Sequence, residues 1–267
     1  MNVQTRSIQG FVSGMIIGTL GGLIGLGGAE FRLPLLVGLF CIATLEAVIL
    51  NKAMSLVVVT AALLFRGGAI SPTVLVAHID VVLNLLAGTL VGAWWVAGHA
   101  ITMSRQWLNR IVLFLLVALS FLMLSEALTG GHYGGSPLID EGVLRFAAGA
   151  VAGLGIGMVA ALLGVAGGEL LIPSIVLLYG LDIKIAGSLS LVISLPTMMV
   201  SLGRYSRATA FVVLKQERYL MLWMVAGSVV GAALGGLLLG VVSTHLLIGL
   251  LGLILLVSAV KTFQHMH

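Results

Sequence analysis

Charge is what this sequence most lacks. Only 8% of its 267 residues are Asp, Glu, Lys or Arg, while 60% are hydrophobic, and the mean hydropathy is +1.22. A soluble domain carries about 25% charged residues. Nine carboxylates and thirteen cations cannot solvate the surface of a soluble chain of this length. The apolar stretches therefore read as helices that face lipid or one another. Cysteine is almost missing too. Cys41 stands alone, which excludes an intramolecular disulfide. No His-Glu-x-x-His, nucleophile elbow, Walker loop or Cys-x-x-Cys occurs. No metal site, no cofactor and no enzyme activity is expected. The pI near 9.6 arises from cations scattered between apolar segments and not from a basic stripe. It reads as membrane topology, and nucleic acid is not an expected partner. Residues 1–9 carry one Arg and run into an apolar, Gly-rich stretch without a small-residue cleavage site, so they open the first helix.

Glycine is abundant instead, at 36 residues. In water it weakens helices, but in lipid it lets two helices approach closely. Much of it recurs. Gly10, Gly14, Gly18, Gly25 and Gly28 are matched 139 residues on by Gly149, Gly153, Gly157, Gly164 and Gly167. Glu30 and Pro34 are matched by Glu169 and Pro173. Twelve of the thirty positions from 10 to 39 are identical at this offset. The match returns at Ser55-Leu56 with Ser194-Leu195, and at Val91-Gly92-Ala93 with Val230-Gly231-Ala232. Apolar composition alone does not pair Glu with Glu and Pro with Pro in register with glycine. The chain reads as a duplication: a first membrane repeat over 1–128, a polar linker over 129–146, and a second repeat over 147–267, in one integrated transmembrane unit.

Each repeat reads as five apolar segments. They lie at 8–27, 32–45, 47–65, 73–98 and 108–128, and at 146–166, 171–181, 185–203, 219–242 and 245–261. This predicts an all-α polytopic membrane protein with about 8–10 helical segments. The second segment of each repeat is too short for about 30 Å of hydrocarbon at 1.5 Å per residue, and reads as broken or re-entrant. Two arrangements follow. If all five segments cross, the repeats are inverted. If the second and third make one crossing, the repeats are parallel. Cation bias puts both termini in the cytoplasm either way, at the cytoplasmic membrane.

The densest feature is a paired signature. It reads Gly25-Leu26-Gly27-Gly28-Ala29-Glu30-Phe31-Arg32-Leu33-Pro34 and Gly164-Val165-Ala166-Gly167-Gly168-Glu169-Leu170-Leu171-Ile172-Pro173. Glycines permit positive φ and expose backbone amides. A short helix that starts after such a turn aims its amides and the positive end of its dipole into the turn. Two such turns, one per repeat, make an anion-friendly site near the repeat interface. Substrate contacts are expected from Gly27, Gly28, Ala29, Gly167 and Gly168. Glu30 and Glu169 are intramembrane carboxylates at equivalent places, and either cap the short helices or couple protons to anion movement. Pro34 and Pro173 are expected to break the short segments.

This pattern, once in each half of a small duplicated membrane protein, resembles the sulfite exporter TauE/SafE family over nearly the whole chain. The resemblance implies a transporter of small sulfur-containing anions or organosulfonates, driven by an ion gradient. The sequence departs from the pattern at Ala29 and Ala166, which replace glycines. Ser190 fits the polar position of the helix that follows, and its counterpart in the first half is Asn51.

Other polar residues complete the expected site. Arg32 has Leu171 as its counterpart, and reads as an oxyanion contact or a snorkelling interfacial Arg. Lys52 reads as an anion contact or as a loop or interface cation. Asn51 and Ser55, like Ser190 and Ser194, are four apart and share a helical face. Pro196 should kink its helix. Asn84 reads as part of an interfacial helix start with His78 and Asp80, and Trp94, Trp95, Trp107 and Tyr219 as aromatic belts. The sequence thus points to a secondary transporter that moves a small inorganic anion or organosulfonate through the bilayer by alternating access. A passive anion channel and a structural membrane subunit are the alternatives. A homo-oligomer is left open.

Overall fold

The computed structural model of the protein describes residues 3–24, 28–66, 76–129, 137, 139, 142–181 and 183–237. Gly27, most of the linker and the fifth segment of the second repeat lie outside the described residues, as do the side chains of Glu30 and Glu169.

Every regular element among the described residues is helical, as lipid demands of a backbone that must satisfy its own polar groups. The long helices are α1 (Val3–Ile24), α3 (Thr44–Arg66), α4 (Ile79–Thr102), α5 (Arg105–Thr129), α6 (Val143–Leu163), α8 (Ile183–Tyr205) and α10 (Arg218–Leu237). Two short ones, α2 (Ala29–Gly38) and α7 (Gly168–Tyr179), follow the glycine signatures. A 3-10 turn at Thr209–Val212 and the single turn α9 (Val213–Gln216) link α8 to α10. Stretches within α3, α4, α6 and α8 are long and apolar enough to cross a membrane.

Hydropathy placed the second segments at 32 and 171, but their helices start at Ala29 and Gly168. The polar first turns hide the starts from an apolar reading. The prolines do not break these helices. Pro34 and Pro173 lie inside α2 and α7, which continue through them, and the breaks fall at Gly28 and Gly167. Pro196 likewise lies inside α8.

Two intimate helix pairs hold the bundle together. α1 packs along α10, and α4 along α6. Gly14 and Gly18 meet the backbone of Met224 and Ser228, while Gly153 and Gly157 meet that of Leu85 and Thr89. Gly88 and Gly92 meet Ala150 and Leu154, while Gly227 and Gly231 meet Phe11 and Met15. The two crossings use residues related by the offset of 139. Close backbone approach is what such stripes supply in lipid, where no hydrophobic force drives helices together. Gly157→Leu should therefore lower stability by about 1–3 kcal/mol or prevent folding, since any Cβ there runs into Thr89 O. Gly155→Leu, whose Cβ would meet open space, should be neutral. Thermal unfolding in detergent compares the two.

The helix directions follow from contacts at one end of the bundle, here the near end. Arg6 Nη2 forms an ion pair with Glu217 Oε1 at 3.0 Å and donates to Phe40 O at 3.5 Å. The α2–α3 turn, the α4–α5 turn and the segment after α8 surround a common cavity there. So α1, α3, α5 and α10 start at the near end, while α2, α4 and α8 finish there. α6 runs parallel to α4. At the far end, Asn84 near the start of α4 bonds Tyr179 at the end of α7 at 2.7 Å. Every described helix of the first half thus runs opposite to its counterpart 139 residues on, where that counterpart is described. α2 and α3 form an antiparallel hairpin, as do α7 and α8, so neither pair combines into one crossing. These directions, among the described helices, are the ones expected of the inverted arrangement.

Candidate functional site

The site is built around the two breaks. Gly28 has φ 69° and Gly167 φ 83°, the left-handed conformation that an L side chain resists. Gly28 folds the chain back against α1, where a Cβ would stand 2.6 Å from Ile17 O. Gly167 folds back against Ile156 and Ala160 of α6. Neither α2 nor α7 has a side-chain hydrogen bond from its N-cap residue. Gly28, Ala29, Gly167 and Gly168 are all buried, so both helix starts lie in the interior. Glu30 and Glu169 occupy the first turns of these helices. Negative charge is favoured at that place.

The first half reaches across to the second through α3. Asn51 Nδ2 donates to Ala29 O at 2.9 Å and to Leu163 O at 3.1 Å. Lys52 Nζ donates to Ala160 O at 2.6 Å and to Val165 O at 2.9 Å. Tyr205 Oη donates to Ala161 O at 3.1 Å. The last carbonyls of a helix have no intrahelical partner. Ala160 O and Ala161 O also accept from Val165 N and Gly164 N, and Asn51, Lys52 and Tyr205 add side-chain donors at this negative end of α6. Lys52 is fully buried, so it is neither a loop nor an interface cation. Arg32 is also fully buried, at 0% exposure, and does not snorkel to an interface.

Several polar atoms are left over. Asn51 Oδ1, Ser55 Oγ and Ser194 Oγ are buried and have no hydrogen-bond partner among the described residues. Both hydrogens of Asn51 Nδ2 are engaged by carbonyls, which fixes Oδ1 as an acceptor. Ser190 donates back to Gly187 O at 2.9 Å. α3 and α8, which carry these residues, pack against each other. The structure therefore brings Asn51 and Lys52 to both glycine signatures at once. An interior with two buried basic side chains, two buried helix starts and hydroxyls that lack a hydrogen-bond partner among the described residues is suited to an anion.

Part of this arrangement leaves no mark in the sequence. Tyr205 gave no pattern, because its partner is reached only through the fold. Asn84 is not an interfacial start but a buried partner of Tyr179. Arg6 and Arg145 also recur at the offset of 139. Each grips the end of its short helix, Arg6 through Phe40 O and Arg145 with its guanidinium carbon 5.6 Å from the Tyr179 ring. Trp94, Trp95, Trp107 and Tyr219 are exposed, as belts require, and Arg204 lies 4.6 Å over Trp94. No cluster of His, Cys, Asp and Glu able to hold a metal occurs among the described residues.

One family of known proteins matches the chain. The model of the sulfite exporter TauE/SafE family aligns with residues 10–262, which takes in both signatures and both hairpins. No curated protein and no solved structure matches.

Proposed function

The chain belongs to the sulfite exporter TauE/SafE family of membrane transporters for sulfur anions, and we propose that it is a secondary transporter that moves sulfite or a related sulfur oxyanion or organosulfonate across the cytoplasmic membrane. The observation that carries this reading is the clamp of Asn51 and Lys52, which joins the start of α2 to the end of α6 beside unsatisfied buried hydroxyls. The anion would take donors from Ser55, Ser194 and the first-turn amides at Gly28, Ala29, Gly167 and Gly168, with Arg32 as counter-charge. Lys52 would hold the α6 turn in place and keep one ammonium hydrogen for the substrate. Opposed helix directions in the two halves give alternating access a simple form: the α2–α3 and α7–α8 hairpins exchange conformations, and the site opens to the other side. Reconstituted liposomes offered sulfite, sulfate, thiosulfate and sulfonates, with and without a pH gradient, test this. Flux of at least one of these anions, raised by a pH gradient, is expected. Reversal potentials fixed by the anion alone would identify a channel instead.

Coupling is assigned to Glu30 and Glu169. A proton bound there as the anion binds would offset the cost of an extra charge in the interior. Glu30→Gln and Glu169→Gln should each flatten the dependence of flux on pH. Unchanged pH profiles in both variants would leave the carboxylates with a capping role only.

The near end faces the cytoplasm in this reading. Among described side chains it carries Arg6, Arg105, Arg110 and the Arg204–Arg218 cluster, against Glu46 and Glu217. That is the positive-inside bias. Native Cys41, exposed at this end, should react with an impermeant maleimide only from the cytoplasmic side. A cysteine at position 137, with Cys41 replaced by Ser, should react only from outside. Labelling of both positions from one side would contradict the orientation.

A further inference from the structure

We propose that the near-end cavity is a vestibule in which the anion docks, still hydrated, before it reaches the glycine turns, with Arg105 and Asn109 as its recognition residues. This rests on the transport reading above. The cavity measures about 760 Å³ and is walled by the α2–α3 turn, the α4–α5 turn and the segment after α8. A water occupies about 30 Å³ in the liquid. The space therefore exceeds a bare oxyanion many times over and accommodates one with its water shell, or a small alkyl sulfonate.

Its charge points to an anion. Arg105 lines the cavity as the first residue of α5. A cation is disfavoured at a helix N-terminus, so helix stability does not account for it. It adds instead to the positive potential of that terminus. The start of α3 opens on the same space. There the Thr44 hydroxyl donates to Asn109 Oδ1, which leaves the Asn109 amide hydrogens for a ligand. Glu46 is the one carboxylate among the lining residues, and it forms no ion pair with Arg105. It limits how much negative charge the vestibule accepts. Around the cavity lies the cationic near end, and a cleft walled by low-dielectric protein focuses that field. Asn51 stands along α3 from Thr44 by about 10 Å of helical rise. The cavity therefore lies at the cationic end of the helix that carries Asn51, on the side from which export would begin.

The chain's single thiol provides the reporter, because Cys41 is exposed and lines the cavity. The rate of N-ethylmaleimide labelling is measured on the purified full-length protein as methanesulfonate or sulfate is added. Sulfite is avoided because it consumes maleimide. Saturating anion should slow labelling several-fold, and chloride should not. Arg105→Gln should raise the half-protecting concentration about tenfold, and Glu46→Gln should lower it. Arg110→Gln, on the same helix but set against the Trp107 ring, should leave it unchanged. Equal labelling rates with and without anion, in protein that carries flux in liposomes, would overturn the vestibule and leave the transport reading standing. Protection without flux would keep the vestibule and overturn the transport reading. Weakened protection in both Arg105→Gln and Glu46→Gln would mean that these residues only shape the cavity, and would overturn their assignment.

Discussion

Lys52→Met should abolish anion flux and lower stability by about 3 kcal/mol, the scale of two charge-assisted hydrogen bonds lost from a buried place. The side chain lengths are similar, so packing is nearly kept. What disappears is the ammonium that bonds Ala160 O and Val165 O at the end of α6. Val165 lies inside the second signature, and loss of its partner frees the turn that leads to Gly167. Lys52→Arg keeps the charge but must fit a planar fork where a compact ammonium is enclosed. It should recover part of the stability and little of the flux. Thermal unfolding in detergent and flux in liposomes separate the two effects. A Lys52→Met protein that transports like the wild type would show that the clamp is dispensable.

The second large effect is asymmetric between the halves. Gly28→Ala places a Cβ 2.6 Å from Ile17 O while forcing a left-handed backbone on alanine. Gly167→Ala carries the same backbone cost, about 1–2 kcal/mol, but its nearest neighbour is the Ala160 methyl at 3.2 Å. A contact at 3.2 Å is relieved by a shift of a few tenths of an ångström, whereas one at 2.6 Å from a helix carbonyl requires the backbone to move. Gly28→Ala should therefore fail to fold or lose all flux, whereas Gly167→Ala should fold with flux reduced several-fold. Yield of monodisperse protein and flux per reconstituted molecule provide the comparison. Equal behaviour of the two variants would count against the assigned geometry of the first turn.

Much of the fold was legible because lipid forces helices, and because the same glycines recur at one offset. Gly88, Gly92, Gly227 and Gly231 could be read as packing glycines, and in the structure they touch backbone on neighbouring helices. The short helices were legible from length alone. Their direction was not, because it depends on α2 folding back beside α3, and Asn51 finds Ala29 only through that hairpin. The helix starts were displaced for a related reason. Glu30 lowers local hydropathy, but it belongs to a helical first turn set by the left-handed Gly28.

The site was legible as a list of residues and not as an arrangement. Asn51 and Lys52 stood out as polar residues in an apolar segment. Their partners Leu163, Ala160 and Val165 lie more than a hundred residues away and are backbone carbonyls, which carry no sequence signal. Tyr205 was hidden in the same way. The recurrence of Arg6 as Arg145 was available at the offset that revealed Glu30 and Glu169. Arginines near helix starts are ordinary in membrane proteins, so the pair attracts no notice until both are seen gripping short helices.

The most direct test of the central claim is counterflow. Proteoliposomes loaded with unlabelled sulfite are diluted into buffer that holds a trace of radiolabelled sulfite. A transporter with one alternating site accumulates the label transiently above its external concentration, and the Lys52→Met protein does not. Absence of such an overshoot for sulfite, thiosulfate and the sulfonates alike, in wild-type protein shown to be folded, would contradict the account.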